Sequence, residues 1–87
     1  MSKWISIKER LPDKDGAYLC CWKLSYGDQY CVNIYSFAKN LHKVDKYDFQ
    51  GKKRAGFYDY DSEWGYGEML GITHWMPLPQ LPKELTE

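Results

Sequence analysis

Four carboxylates crowd one stretch of this chain. Asp59, Asp61, Glu63 and Glu68 alternate with Tyr58, Tyr60, Trp64 and Tyr66. The spacing of Asp59 and Asp61 puts both on one face of a strand. Paired carboxylates suit a divalent cation or glycosidic chemistry. They equally suit solubility with the tyrosines turned inward, and that plainer reading is preferred. Acids mixed with aromatics can also imitate a nucleic acid before a basic cleft. His74, between Thr73 and Trp75, is a candidate general base. No Ser or Cys nucleophile can be placed beside it from the sequence, so a hydrogen-bonded structural histidine is expected. His42 lies in a polar stretch and is expected to be solvated.

Lys52-Lys53-Arg54, with Lys39, Lys43 and Lys46, forms the basic counterpart. Beside Tyr47, Phe49, Phe57 and Tyr58, these cations could stack a base and hold a phosphate. Gln50-Gly51-Lys52-Lys53 lacks the spacing of a phosphate-binding glycine loop. Charge is segregated, basic over 39–54 and acidic over 59–68, and a partner can read that polarity. The candidate ligand or partner contacts are Arg10, Lys52, Lys53, Arg54, Tyr58, Asp59 and His74. No catalytic residue, metal ligand or cofactor site is assigned.

The three cysteines are Cys20, Cys21 and Cys31. Adjacent strand residues point to opposite faces, so Cys20 and Cys21 cannot form an ordinary bridge. No CxxC pair or zinc-ligand spacing occurs, and three free thiols in a reducing compartment are expected.

These residues must be positioned by one small domain, 1–87. A chain of 87 residues buries only roughly 60–68% of its unfolded surface, so aromatics must supply the core. Trp, Tyr and Phe make up 17% of the chain, which explains how a mean hydropathy of -0.67 is compatible with folding. Twelve acids balance twelve bases, which disfavours bulk DNA binding. No apolar run approaches a membrane span or a signal peptide, so a cytoplasmic protein without membrane contact is expected.

The fold class read from the pattern is mainly β, or small α+β: an antiparallel sheet of about four strands, with termini packed together and a long middle loop. The opening segment ends at Leu11-Pro12 and a turn over Asp13–Gly16. Residues 17–24 and 30–38 read as a hairpin, with Gly27-Asp28 as a two-residue loop. In that register Leu24 opposes Cys31, Trp22 opposes Asn33, Cys20 opposes Tyr35, and Tyr18 opposes Phe37. One face is aromatic, and the other carries Leu19, Cys21, Val32 and Ile34. A hairpin apolar on both faces needs a second covering layer. Residues 39–54 read as a polar loop too hydrophilic to supply it, so a homodimer is expected. Residues 55–61 alternate as a strand with Phe57 or Tyr58 inward, 62–71 read as turns, and 72–76 as the last strand. Pro77-Leu78-Pro79-Gln80-Leu81-Pro82 reads as a polyproline-like tail with a frayed end beyond it.

Two stretches resemble a known family. Trp4-Ile5-Ser6-Ile7-Lys8-Glu9-Arg10-Leu11-Pro12, followed by Gly16, and Ile72-Thr73-His74-Trp75-Met76-Pro77-Leu78-Pro79 are similar to the opening and closing signatures of domain of unknown function 551. That resemblance implies a small protein of tailed phages or prophages, acting in the host cytoplasm, with no catalytic residues to carry over. If the two ends lie side by side, Trp4, Pro12, Trp75, Pro77 and Pro79 form a structural clamp, with both indoles buried in one cluster. The expected function is a non-enzymatic accessory module that sequesters or blocks a host protein or small ligand, with an anti-defence role in view. The alternative is a nucleotide or single-stranded nucleic-acid binder using the 39–54 loop and nearby aromatics.

Overall fold

Alternation in residues 16–38 builds the centre of the sheet. In the computed structural model, which describes residues 3–25 and 27–79, strands β2 (Gly16–Lys23) and β3 (Tyr30–Ala38) pair antiparallel. They are joined by β1 (Ile5–Ser6), β4 (Gly56–Asp61), β5 (Gly65–Glu68) and β6 (Ile72–Pro77). The result is one six-stranded antiparallel sheet in the order β1-β6-β2-β3-β4-β5. The β architecture is as the pattern predicted. The two additional strands are β1, which is very short, and β5, where Gly65 and Gly67 mask any alternation.

The termini meet as expected. Ile5 pairs with Trp75 and Ser6 with His74, and the Ile7 N–H donates to the Thr73 carbonyl at 3.0 Å. The clamp differs from the expected one. Trp75 is 3% exposed and Pro12 is buried, whereas Trp4 is 40% exposed and Pro77 and Pro79 are exposed. Neighbouring strand residues face opposite ways, so with Ile5 packed on the core beside Trp75, Trp4 is directed elsewhere. The tail beyond Pro79 lies outside the described residues.

The hairpin register also differs. Trp22 opposes Cys31, Cys20 opposes Asn33, Tyr18 opposes Tyr35 and Gly16 opposes Phe37. The Leu24 N–H donates to the Gln29 carbonyl at 2.9 Å, so the connection is 25–28 rather than Gly27-Asp28 alone. Gly27 does take positive φ, 72°. Positive φ also closes longer hairpin loops built round a type I turn, so the glycine by itself does not fix loop length. The displacement is an even number of residues, so side chains keep the faces the pattern predicted.

The aromatic face forms the main core. Cys20, Tyr35, Phe37, Phe57, Ile72 and Trp75 are buried together, with Tyr18 and Trp22 against them. Tyr18 meets Trp75 and Phe37 edge-on, at 5.3 and 6.4 Å between centroids.

The polar stretch 39–54 is not an uncommitted loop. Asn40 caps a single helical turn, α1 (Leu41–Val44), by accepting the His42 N–H at 3.1 Å. Asp45 accepts the Tyr47 and Asp48 N–H groups at 2.8 and 3.0 Å. The ends are tied where Leu41 N–H meets the Arg54 carbonyl at 2.9 Å. This closed loop lays Leu41 and Phe49, 0% and 1% exposed, against Ala38, Tyr58 and Tyr66 on the second sheet face. It therefore covers the β4–β5 half of that face. Phe57 and Tyr58 both point inward, one to each core. Gly56 permits the approach: a Cβ there would lie 2.8 Å from Leu41 Cδ1.

Candidate partner-binding surface

The β4–β5 hairpin holds the acidic and aromatic residues that the sequence brought forward. Asp61 fixes its tip: its carboxylate accepts the Glu63 N–H at 2.7 Å and the Trp64 N–H at 3.2 Å. Trp64, held by that turn, is 83% exposed. Behind it an aromatic series runs from surface to core. Tyr60 lies 4.8 Å from Tyr66, Tyr66 lies 5.8 Å from Tyr58, and Phe49 lies 5.8 Å from Tyr58 and 6.0 Å from Tyr66. Tyr60 is 58% exposed. Asp59 and Asp61 share the opposite face, as their spacing requires, beside a shallow groove of about 200 Å³ lined also by Trp64, Gly67 and Met69. The hairpin thus shows carboxylates on one side, tyrosine on the other and an indole at the end.

Glu68 anchors the base of this hairpin. Its carboxylate accepts from Arg54 Nη1 and Nη2 at 2.6 and 2.7 Å and from Lys52 Nζ at 3.2 Å. The Arg54 hydrogen bonds hold it below the usual carboxylate pKa, against the opposing effect of burial. A depressed folded pKa stabilises above the unfolded value of about 4.3 and is lost as pH falls through the folded one. Both cations are partly exposed, so Glu68→Gln should cost only about 1 kcal/mol at neutral pH. Thermal melts should show the wild-type and variant midpoints converging as pH drops below about 4. A constant gap would remove this role.

The other sequence candidates are scattered. Lys52 and Arg54 are tied to Glu68, and Lys53 is exposed beside them. Arg10 lies at the terminal junction, its guanidinium 5.5 Å from the Trp75 ring, and its carbonyl accepts Trp75 Nε1–H at 2.9 Å. Tyr58 belongs to the second core, while Asp59 is exposed. His74 is at the far end of the sheet. The Thr73 hydroxyl donates to the Cys21 carbonyl at 3.2 Å, so at 2.9 Å it must accept from His74 Nδ1–H. That bond sets the neutral tautomer and leaves Nε2 as the open acceptor.

The structure also pairs residues that the sequence could not bring together. Cys21 sits directly opposite His74 across β2 and β6. No hydrogen bond joins their side chains. All three cysteines are free. Burial pushes the Cys20 thiol up to about 11, so it is protonated and unreactive at neutral pH. Among the described residues no group of three or more His, Cys, Asp or Glu is placed to hold a metal ion. Among the described residues no helix is long and apolar enough to cross a membrane.

The family profile described as Protein of unknown function (DUF551) matches residues 3–83. The chain belongs to this family. The match spans both signature stretches and the middle of the chain, including the 39–54 loop and the β4–β5 hairpin. Comparisons with curated proteins and with solved structures gave no match.

Proposed function

We propose that this DUF551 protein is a non-enzymatic accessory module of phage or prophage origin that binds a host protein in the host cytoplasm and blocks it. The observation that carries this reading is Trp64, 83% exposed on a turn whose conformation Asp61 fixes. A small domain that relies on aromatics for its core has its largest side chain in water at this position. Tryptophan is among the residue types most enriched at the energetic centres of protein interfaces. Asp59, Asp61 and Glu63 around it favour a cleft with a basic rim, and such charges speed encounter and fix orientation. The phage provenance rests on the resemblance of the two terminal signatures.

Affinity capture from bacterial lysate tests it. Wild-type protein should retain a partner that Trp64→Ala, equally folded by circular dichroism, loses. Identical capture by the two proteins would remove the hairpin from the function. The nucleic-acid reading draws on a groove of about 480 Å³ lined by Lys14, Lys39 and Lys43. It has less support, because Asp13 and Asp15 share that groove and Glu68 engages Lys52 and Arg54. Anisotropy with a labelled oligonucleotide, falling steeply with salt, would favour it instead.

A further inference from the structure

We propose that the β4–β5 hairpin is a flap, hinged at Ser36 and Tyr58, that closes by zipping β4 onto the free edge of β3. The β3–β4 ladder is short. Only Ser36, Phe37 and Ala38 pair with Tyr58, Phe57 and Gly56. Both strands run on past that point, β3 back to Tyr30 and β4 forward to Asp61. Among the described residues no strand pairs with β3 on that side over 30–35, and β4 over 59–61 pairs only with β5.

Two hydrogen bonds mark where the ladder stops. The Asn33 side chain accepts the Ile34 N–H at 2.8 Å, and the Asp59 carboxylate accepts the Tyr60 N–H at 2.9 Å. These two amides belong to each other. Extending the register of Ser36 with Tyr58 by two residues sets Ile34 opposite Tyr60. The Met69 N–H donates to the Phe57 carbonyl, so Phe57 turns its backbone groups to β5, and Tyr58 and Tyr60 turn theirs to β3. The Ile34 amide, bonded to its neighbour's side chain, faces away from β2. Ile34 and Tyr60 are therefore the next hydrogen-bonded pair of the ladder, and each has its N–H taken by the side chain just before it. Side-chain bonds of this kind compete directly with strand pairing.

The side chains match in the closed register as well. Ile34 and Tyr60, 51% and 58% exposed, become cross-strand neighbours on one face. A β-branched residue opposite an aromatic is a favourable pair. On the other face Asn33 meets Asp61, amide against carboxylate, and no like charges are opposed. Closing exchanges two side-chain bonds for two backbone bonds, so both amides are satisfied in either arrangement. Two discrete arrangements of comparable energy are what a switch requires. Closure carries the Asp61 turn, and Trp64 with it, toward Asn33. It is a property of the chain alone and stands whether or not Trp64 anchors a partner.

Residue-resolved NMR of the full chain, without any partner, tests this. In the wild type, relaxation dispersion should show microsecond-to-millisecond exchange at the Ile34 and Tyr60 amides. Removing both caps, as Asn33→Ala with Asp59→Ala, should shift the chain to the closed state. Both sites are exposed, so the core is untouched, and the β2 amides serve as the folding reference. Hydrogen exchange at Ile34 and Tyr60 should slow by about five- to tenfold, the effect of one net backbone hydrogen bond. A contact between the α-protons of positions 33 and 61 should appear, because that pair is the close, non-hydrogen-bonded one. Asp59→Asn keeps an acceptor and should behave as wild type. Adding Ile34→Pro, tolerated on a strand edge whose N–H faces outward, should abolish the gain at Tyr60. Flat dispersion at both amides in the wild type overturns the proposal. So does a double alanine variant that exchanges as fast as wild type and lacks the α-proton contact, or a gain at Tyr60 that survives Ile34→Pro.

Discussion

Replacing Trp75 with alanine is expected to cost about 3–5 kcal/mol, much of the stability available to a domain of this size. The indole is 3% exposed and stands where β1, β6 and β2 meet. It packs edge-on against Tyr18 and lies beneath the Arg10 guanidinium. Its Nε1–H satisfies the Arg10 carbonyl at 2.9 Å. Truncation therefore removes a large apolar area, opens a cavity and leaves that carbonyl unsatisfied. The thermal midpoint should fall by roughly 15–30 °C. Trp75→Phe keeps most of the area and loses the hydrogen bond, so it should cost about 1–2 kcal/mol. If Trp75→Ala melts within a few degrees of wild type, the joined termini do not hold the fold.

Phe49→Ala should be comparably severe, at about 3–5 kcal/mol. Phe49 is 1% exposed, yet it sits in the most polar stretch of the chain. It packs against both Tyr58 and Tyr66, and with Leu41 it attaches the closed 40–54 loop to the sheet. Its loss should release the Leu41 and Lys52 amides to exchange before the β2–β3 ladder opens. Hydrogen exchange with mass spectrometry reads this directly. Unchanged protection across 40–54 would mean that the loop's own hydrogen bonds hold it in place.

The elements the sequence revealed are those whose pattern is local. Alternation from Gly16 to Ala38 fixed the two faces of β2 and β3, and Ile72–Met76 read as a strand for the same reason. Loop length at Gly27 was not legible, because positive φ serves several hairpin loops. Trp4 was misplaced because a two-residue strand offers no alternation to say which of Trp4 and Ile5 faces the core. The buried role of Phe49 escaped because Leu41, Val44 and Phe49 sit on successive turns and follow no period; the Asn40 cap was the signal present. At the candidate site, the Asp59/Asp61 spacing and the exposed tyrosines were readable. The pairing of Glu68 with Arg54 and Lys52 depends on how β5 folds back on β4, and the opposition of Cys21 and His74 depends on β6 crossing to β2. Both are long-range consequences of topology.

Backbone hydrogen exchange of the protein, alone and with a host protein captured through it, locates the binding surface. New protection should concentrate in 59–66, around Trp64 and the Asp61 turn, and be absent in the Trp64→Ala variant. Protection confined to the 13–15 and 39–44 groove or to the β2–β3 face, with 59–66 exchanging as freely as before, would contradict it.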